Sequence, residues 1–179
     1  MLEESNTLVV VVDIQEKLVK AVNNYNDISK KGEILSQIAQ NLSLPVIVTE
    51  QYPKGLGCTI DKIKNNLTEA TYIEKSTFSA YSNEDFKKLV DSYSRKNIII
   101  SGIETHICVC QTAIDLKNAG YEVFLLTDVT ASRQDFEYLN GIETLKQFGI
   151  KTLTIESFLF FLLKSSKHPK FKELQKLII

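Results

Sequence analysis

The runs Leu8-Val9-Val10-Val11-Val12 and Ile98-Ile99-Ile100 are unbroken by any polar residue, and that limits the folds open to this chain. A strand with one wet face alternates apolar and polar residues. A strand that is apolar at every position must be covered on both faces, as in a parallel sheet sandwiched between helices. Strand-like stretches fall at 7–12, 44–48, 71–73, 97–100, 121–126 and 151–155, and helical periodicity falls at 28–42, 83–94, 105–119, 134–148, 157–164 and from 169 to the end. Strands alternating with helices imply right-handed βαβ crossovers. The pattern predicts a three-layer α/β/α sandwich around a doubly wound, six-stranded, Rossmann-like parallel sheet. At 179 residues and 44% hydrophobic content, one core and a single domain over 1–179 are expected.

With 21 basic and 22 acidic side chains scattered along it, the chain has no basic stripe, which argues against nucleic acid or an anionic membrane surface as a partner. Its acidic, polar start lacks the features of a secretory signal, and the apolar run at 158–163 is too short to span a bilayer. An odd number of cysteines, three, suits a reducing compartment, so a cytoplasmic location is expected. The irregular stretch at 50–57 is long for a compact domain, which marks it as a functional loop. Asn140-Gly141 conflicts with the helical pattern around it.

In an open α/β sheet the ligand site lies beyond the carboxyl ends of the strands, where the strand order reverses. There the first strand ends in Asp13, the third in Glu74-Lys75, and the fourth in Gly102, ahead of Cys108. Asp13 has two compatible readings. It can cap the next helix in an Asp13-Ile14-Gln15-Glu16 capping box, or it can pair with a cation. Cys108, read as lying in the first turn of a helix, is expected to have its thiol pulled below its ordinary range by the helix dipole. Together the three make a nucleophile set, with Asp13 taking the thiol proton and Lys75 compensating charge. The N–H groups of Glu104 and Cys108 are placed to receive an oxyanion.

Other constellations fare worse. His106 is two residues from Cys108 on one helix and cannot face it. Cys110 reads as core and Cys58 as incidental. Two dispersed histidines give no zinc spacing, and no GxGxxG follows the first strand, so neither a metal nor a dinucleotide cofactor is expected. Two rivals stay open: a catalytically idle oligomeric scaffold of the same fold, and a thiol redox sensor, although no resolving cysteine is placed for the second.

Val11-Val12-Asp13-Ile14-Gln15, Glu74-Lys75-Ser76-Thr77-Phe78-Ser79 and Gly102-Ile103-Glu104-Thr105-His106-Ile107-Cys108-Val109 together resemble the isochorismatase-like cysteine hydrolases. The stretches at 49–57 and 168–178 are similar to the isochorismatase-domain-containing subgroup. The resemblance implies the isochorismatase-like hydrolase fold, a catalytic triad of Asp13, Lys75 and Cys108, a cis peptide between Ile103 and Glu104, and a homo-oligomer. It further implies hydrolysis of an amide-type C–N bond of a small molecule through a Cys108 thioester. Where nicotinamidases of the family carry a metal cluster, this chain has Glu50, Gln51 and Tyr52, so the metal is not carried over. Gln15, Glu50, Tyr52, Phe78, Glu104, Thr105 and Gln111 are expected to wall the pocket. The apolar stripe Phe171, Leu174, Leu177 and Ile178 is expected to pack on its own subunit or on a neighbour.

Overall fold

The computed structural model describes residues 2–178, the side chains of residues 25 and 26 apart; Met1 and Ile179, which fall in the two end stretches read above, lie outside the described residues. In chain order the elements are β1 (Thr7–Val12), α1 (Glu16–Ala21), α2 (Tyr25–Asn41), β2 (Val46–Gln51), the short turns α3 (Pro53–Leu56) and α4 (Asp61–Lys64), and β3 (Thr71–Lys75). Then come α5 (Glu84–Ser92), β4 (Asn97–Ile103), α6 (Cys110–Asn118), β5 (Glu122–Ala131), α7 (Asp135–Gln147), β6 (Lys151–Leu153), α8 (Ile155–Leu163) and the single turn α9 (Phe171–Leu174). The strands form one sheet in the order β3-β2-β1-β4-β5-β6, and each neighbouring pair is parallel.

Burial on both faces is visible within β1. Val9 and Val11 pack with α2 and α8 in one apolar cluster, whereas Leu8, Val10 and Val12 pack with α5, α6 and α7 in a second. Helices therefore cover both sides, and the three-layer α/β/α sandwich expected from the valine and isoleucine runs is the fold. Phe171 and Leu174 join the first cluster together with Leu177 and Ile178, so the C-terminal stripe packs on its own subunit. It does so as one helical turn followed by a 3-10 turn, not as the continuous helix expected from 169 on.

The sequence underestimates the carboxyl ends of several strands. β2 runs to Gln51, β3 to Lys75, β4 to Ile103 and β5 to Ala131, each past the apolar run that marks it in the sequence. Polar residues there are still paired in the ladder, and the apolar pattern that marks a strand stops where the site begins. Between β4 and β5 the register jumps, with Ile100 opposite Leu125 but Gly102 opposite Thr130. Extra β5 residues are thereby accommodated at the edge of the crevice.

Two glycines make the approach of elements possible. Gly102 has φ +135, and a Cβ there would lie 2.0 Å from the carbonyl oxygen of Val12. Gly141 lies inside a continuous α7, where a Cβ would stand 3.1 Å from the Cα of His106. The helix-breaking signal at 140–141 is thus a contact point at which α7 rests on the turn that carries Cys108. Gly102→Ala would meet backbone and not a flexible side chain, so we expect a loss of more than about 4 kcal/mol. Urea unfolding of the variant measures it, and a loss under about 1 kcal/mol would contradict this account of the β1–β4 contact.

Candidate active site

Strand order reverses between β1 and β4, whose following helices lie on opposite faces of the sheet, and a crevice opens at their carboxyl ends. Asp13 leaves β1 in a left-handed conformation (φ 51), one that a short polar side chain tolerates better than most. The chain turns there, and the carboxylate points into the protein. Its Oδ1 accepts from the Thr49 hydroxyl at 2.7 Å and its Oδ2 from the Lys75 ammonium at 2.7 Å. Both charged side chains are 0% exposed.

Asp13 is therefore not a helix cap. Helix α1 starts at Glu16 after Gln15 with no side-chain cap, and of the two readings open in the sequence the cation pair is the one realised. An unpaired carboxylate in this position would be prohibitively costly; paired and hydrogen-bonded, it is tolerated.

The Lys75 ammonium is held from several sides. Besides Asp13 it donates to Gln51 Oε1 at 2.7 Å and to the Thr77 carbonyl at 3.2 Å. The Phe78 carbonyl lies at 3.4 Å. Residues 76–78 thus form a strap around the cation.

Cys108 completes the group, its thiol lying close enough to both the Asp13 carboxylate and the Lys75 ammonium to be shifted by each. It lies in a wide turn, Thr105–Val109, ahead of the regular helix α6. The Val109 N–H reaches back to the Glu104 carbonyl at 3.2 Å, five residues away. The peptide between Ile103 and Glu104 is cis.

The expectation of a thiol depressed by a helix dipole is overturned. Burial, reinforced by the Asp13 carboxylate, pushes the Cys108 thiol up to about 12, against the opposing pull of Lys75. Cys108 is 7% exposed, and in so dry a position the cost of a bare thiolate beside a carboxylate outweighs the pull of one lysine.

The expected wall residues divide. Tyr52 and Phe78 are 62% and 56% exposed, Tyr52 beside Lys75 and Phe78 at the end of the strap. Gln111 is exposed on α6. Gln15, Glu50 and Thr105 are buried and bonded within the protein. The Gln15 amide grips the main chain of Gln51 and Gly57, Glu50 Oε1 accepts from the Thr59 N–H at 2.7 Å and its hydroxyl at 2.8 Å, and the hydroxyls of Thr105 and Thr130 lie 2.9 Å apart. The Glu104 carboxylate pairs with Arg133, whose backbone N–H donates to it at 3.0 Å.

His106 turns to Ser132 at 2.9 Å and, at 3.9 Å, to Glu137. Cys110 is buried in the second apolar cluster and Cys58 is exposed. Among the described residues no three His, Cys, Asp or Glu side chains gather as they would around a metal ion, and no helix is long and apolar enough to cross a membrane.

Thr49, Gln51 and Thr77 were missed from the sequence. The signal for the first two is positional: Thr49 stands in register with Val12 and Gln51 with Lys75, so both flank charges that need partners.

Residues 7–157 match the Isochorismatase domain family model. Isochorismatase domain-containing protein 1 of Danio rerio is 39% identical over 93% of this chain, which spans 58% of that relative's own length. Isochorismatase domain-containing protein 2 of Xenopus laevis is 36% identical over 99% of this chain and 86% of its own. The solved structure of the MAR1 ribonuclease from Caenorhabditis elegans superposes with a TM-score of 0.94 at 35% identity, covering 99% of this chain and 91% of that one.

Two outcomes test the geometry. Lys75→Met leaves Asp13 buried without its cation and should cost about 3–5 kcal/mol in urea unfolding, with part of the loss recovered in the Asp13→Asn/Lys75→Met double variant. Because the Cys108 thiol titrates well above neutrality, its alkylation by iodoacetamide should rise about tenfold per pH unit from about pH 7 to about pH 10. A plateau near pH 7 would mean a preformed thiolate.

Proposed function

We propose, starting from the fact that the chain belongs to the isochorismatase family, that it is a hydrolase cleaving an amide-type C–N bond of a small molecule, with Cys108 as nucleophile, Asp13 as acid and base, and Lys75 as their electrostatic partner. The observation that carries the reading is the meeting of a thiol with a fully buried Asp13–Lys75 pair at the strand-order switch. A carboxylate that only stabilised the fold would not need a thiol beside it. A thiol that only packed would not need a buried charge pair.

The elevated thiol shapes the chemistry. Cys108 rests protonated, so its Sγ attacks the carbonyl carbon as its proton passes to Asp13. The carbonyl electrons move onto oxygen, where the N–H groups of Glu104 and Cys108 are the proposed donors. As the tetrahedral species collapses, the C–N bond breaks and the departing nitrogen takes the proton from Asp13. Water, deprotonated by Asp13, then attacks the thioester, releasing the acid and restoring the thiol.

Lys75 offsets whichever neighbour carries the negative charge. None of these steps calls on a metal.

The ribonuclease name of the C. elegans protein is not carried over. A net charge of −1 and an anion-paired lysine are poorly suited to a polyphosphate chain. We take the substrate to be a small molecule and the setting to be a reducing, cytoplasmic one, in keeping with three free cysteines. We further infer a homo-oligomer, supported by the exposed aromatic and aliphatic side chains Phe136, Leu139, Phe160 and Phe161 on α7 and α8.

The test is turnover of a panel of small amides, ureas and carbamoyl compounds with intact-mass detection of an acyl adduct. We expect the adduct on Cys108 and a loss of at least about 10⁴-fold in turnover on Cys108→Ala. Turnover surviving in that variant, or an adduct confined to Cys58 or Cys110, would refute the assignment.

A further inference from the structure

We propose that Gln51 is a positioning residue for Lys75, holding the ammonium in the one placement from which it can serve both Asp13 and Cys108, and that Gln15 locks Gln51 in turn. The inference rests on the function proposed above and assigns to the end of β2 a task within that site.

Gln51 and Lys75 are Cα partners at the last rung of the β2–β3 ladder, so their side chains leave the sheet next to each other. The Gln51 amide is used at both ends. Its Oε1 accepts from Lys75 Nζ at 2.7 Å, and its Nε2 donates to the Ser76 carbonyl at 3.0 Å, on the strap that continues from Lys75. These bonds fix which end of the amide faces the cation, because the reverse orientation would aim an N–H at an ammonium.

The Gln51 backbone is gripped equally well. Its N–H donates to Gln15 Oε1 at 2.7 Å and its carbonyl accepts from Gln15 Nε2 at 3.0 Å, the same nitrogen donating to the Gly57 carbonyl at 2.6 Å. Gln15 itself follows Asp13 by two residues, and its N–H donates to the Asp13 carbonyl at 2.8 Å. The path Asp13, Gln15, Gln51, Lys75, Asp13 is a closed circuit of hydrogen bonds that runs through the buried cation.

The circuit answers a physical need. An ammonium has three donors and a flexible four-carbon stem, and a single carboxylate fixes its distance but not its direction. Asp13 Oδ2, Gln51 Oε1 and the Thr77 carbonyl supply three directions. Replacing the amide of Gln51 with an apolar group removes one of the two short bonds to the cation and leaves Asp13 with the longer carbonyl contacts of Thr77 and Phe78. The ammonium is then drawn toward the strap, and the charge opposite the sulfur weakens.

The probe is alkylation of Cys108 by iodoacetamide, followed by mass spectrometry across a range of pH. The charged groups acting on the thiol are Asp13 and Lys75. Gln51→Met should slow Cys108 labelling at a fixed mildly alkaline pH about tenfold and move the pH profile up by about one unit. In the Asp13→Asn/Lys75→Gln background, where a neutral amide pair replaces the ion pair, Gln51→Met should have no further effect, since it acts only through the cation.

Equal slowing in both backgrounds, or none in the native one, would overturn the proposal. If Gln51→Met does not fold, Gln51→Asn serves, its retracted amide giving a smaller slowing that must vanish in the neutral background. Failure of the underlying function reading looks different: the native protein would then turn over no member of the amide panel and carry no acyl adduct on Cys108, whatever Gln51→Met does to labelling.

Discussion

The buried contact between Lys75 and Asp13 is the constraint around which the carboxyl edge of this sheet is organised. Two opposite charges without solvent exposure are costly to bring out of water, and their mutual attraction offsets that cost only when the geometry is good and the remaining donors and acceptors are met. Nearby departures from a plain Rossmann-like edge serve this requirement. Thr49 turns its hydroxyl to the second carboxylate oxygen, Gln51 turns its amide oxygen to the ammonium, and the chain after Lys75 folds back to present carbonyls. Replacing the pair by two packed apolar residues would be the simpler way to stabilise the edge, so its presence there points to chemistry.

The sheet order decides where that contact can form. Asp13 stands at the switch between the halves of the sheet, Cys108 approaches from β4 on one side, and Lys75 lies two strands away on the other. The lysine stem spans the gap across β2, which explains why β2 contributes the side chains that steady it. On the β4 side the approach is set by glycines, Gly102 where the backbone nears Val12 and Gly141 where α7 meets the Cys108 turn. Positions that look like weak points in the sequence are points of contact.

Most of the fold was legible because Val and Ile runs leave only one kind of strand environment, and every strand expected from them is present. The meeting of Asp13, Lys75 and Cys108 was legible too, since the ends of β1, β3 and β4 converge on one edge of such a sheet. What stayed open or failed did so for local physical reasons. Asp13-Ile14-Gln15-Glu16 carries both a capping and a pairing reading, and local sequence does not decide between them because the cation stands two strands across the sheet. A cysteine at the start of a helical pattern reads as a depressed thiol. Periodicity does not reveal that the pattern opens with a wide turn or that the sulfur sits dry beside a carboxylate. Strand position likewise gives no sign of the internal partners that Gln15, Glu50 and Thr105 find.

The elevated thiol and the buried pair form one argument about charge. At rest the crevice holds one anion, one cation and a neutral thiol, so these three groups carry no net charge. Ionising the thiol without moving its proton onto a neighbour would leave the dry pocket with a net negative charge, which burial opposes strongly. Transfer of that proton to Asp13 only relocates the anion from oxygen to sulfur, and the sum is unchanged. Under the proposed cycle each step has this property: a negative charge passes from carboxylate to sulfur to substrate oxygen and back while Lys75 stays fixed beside all of them. A thiolate prepared in advance would require a more open or more cationic pocket. The crevice is of the closed kind, and under the proposed function its nucleophile is created only when an electrophile is present to accept it.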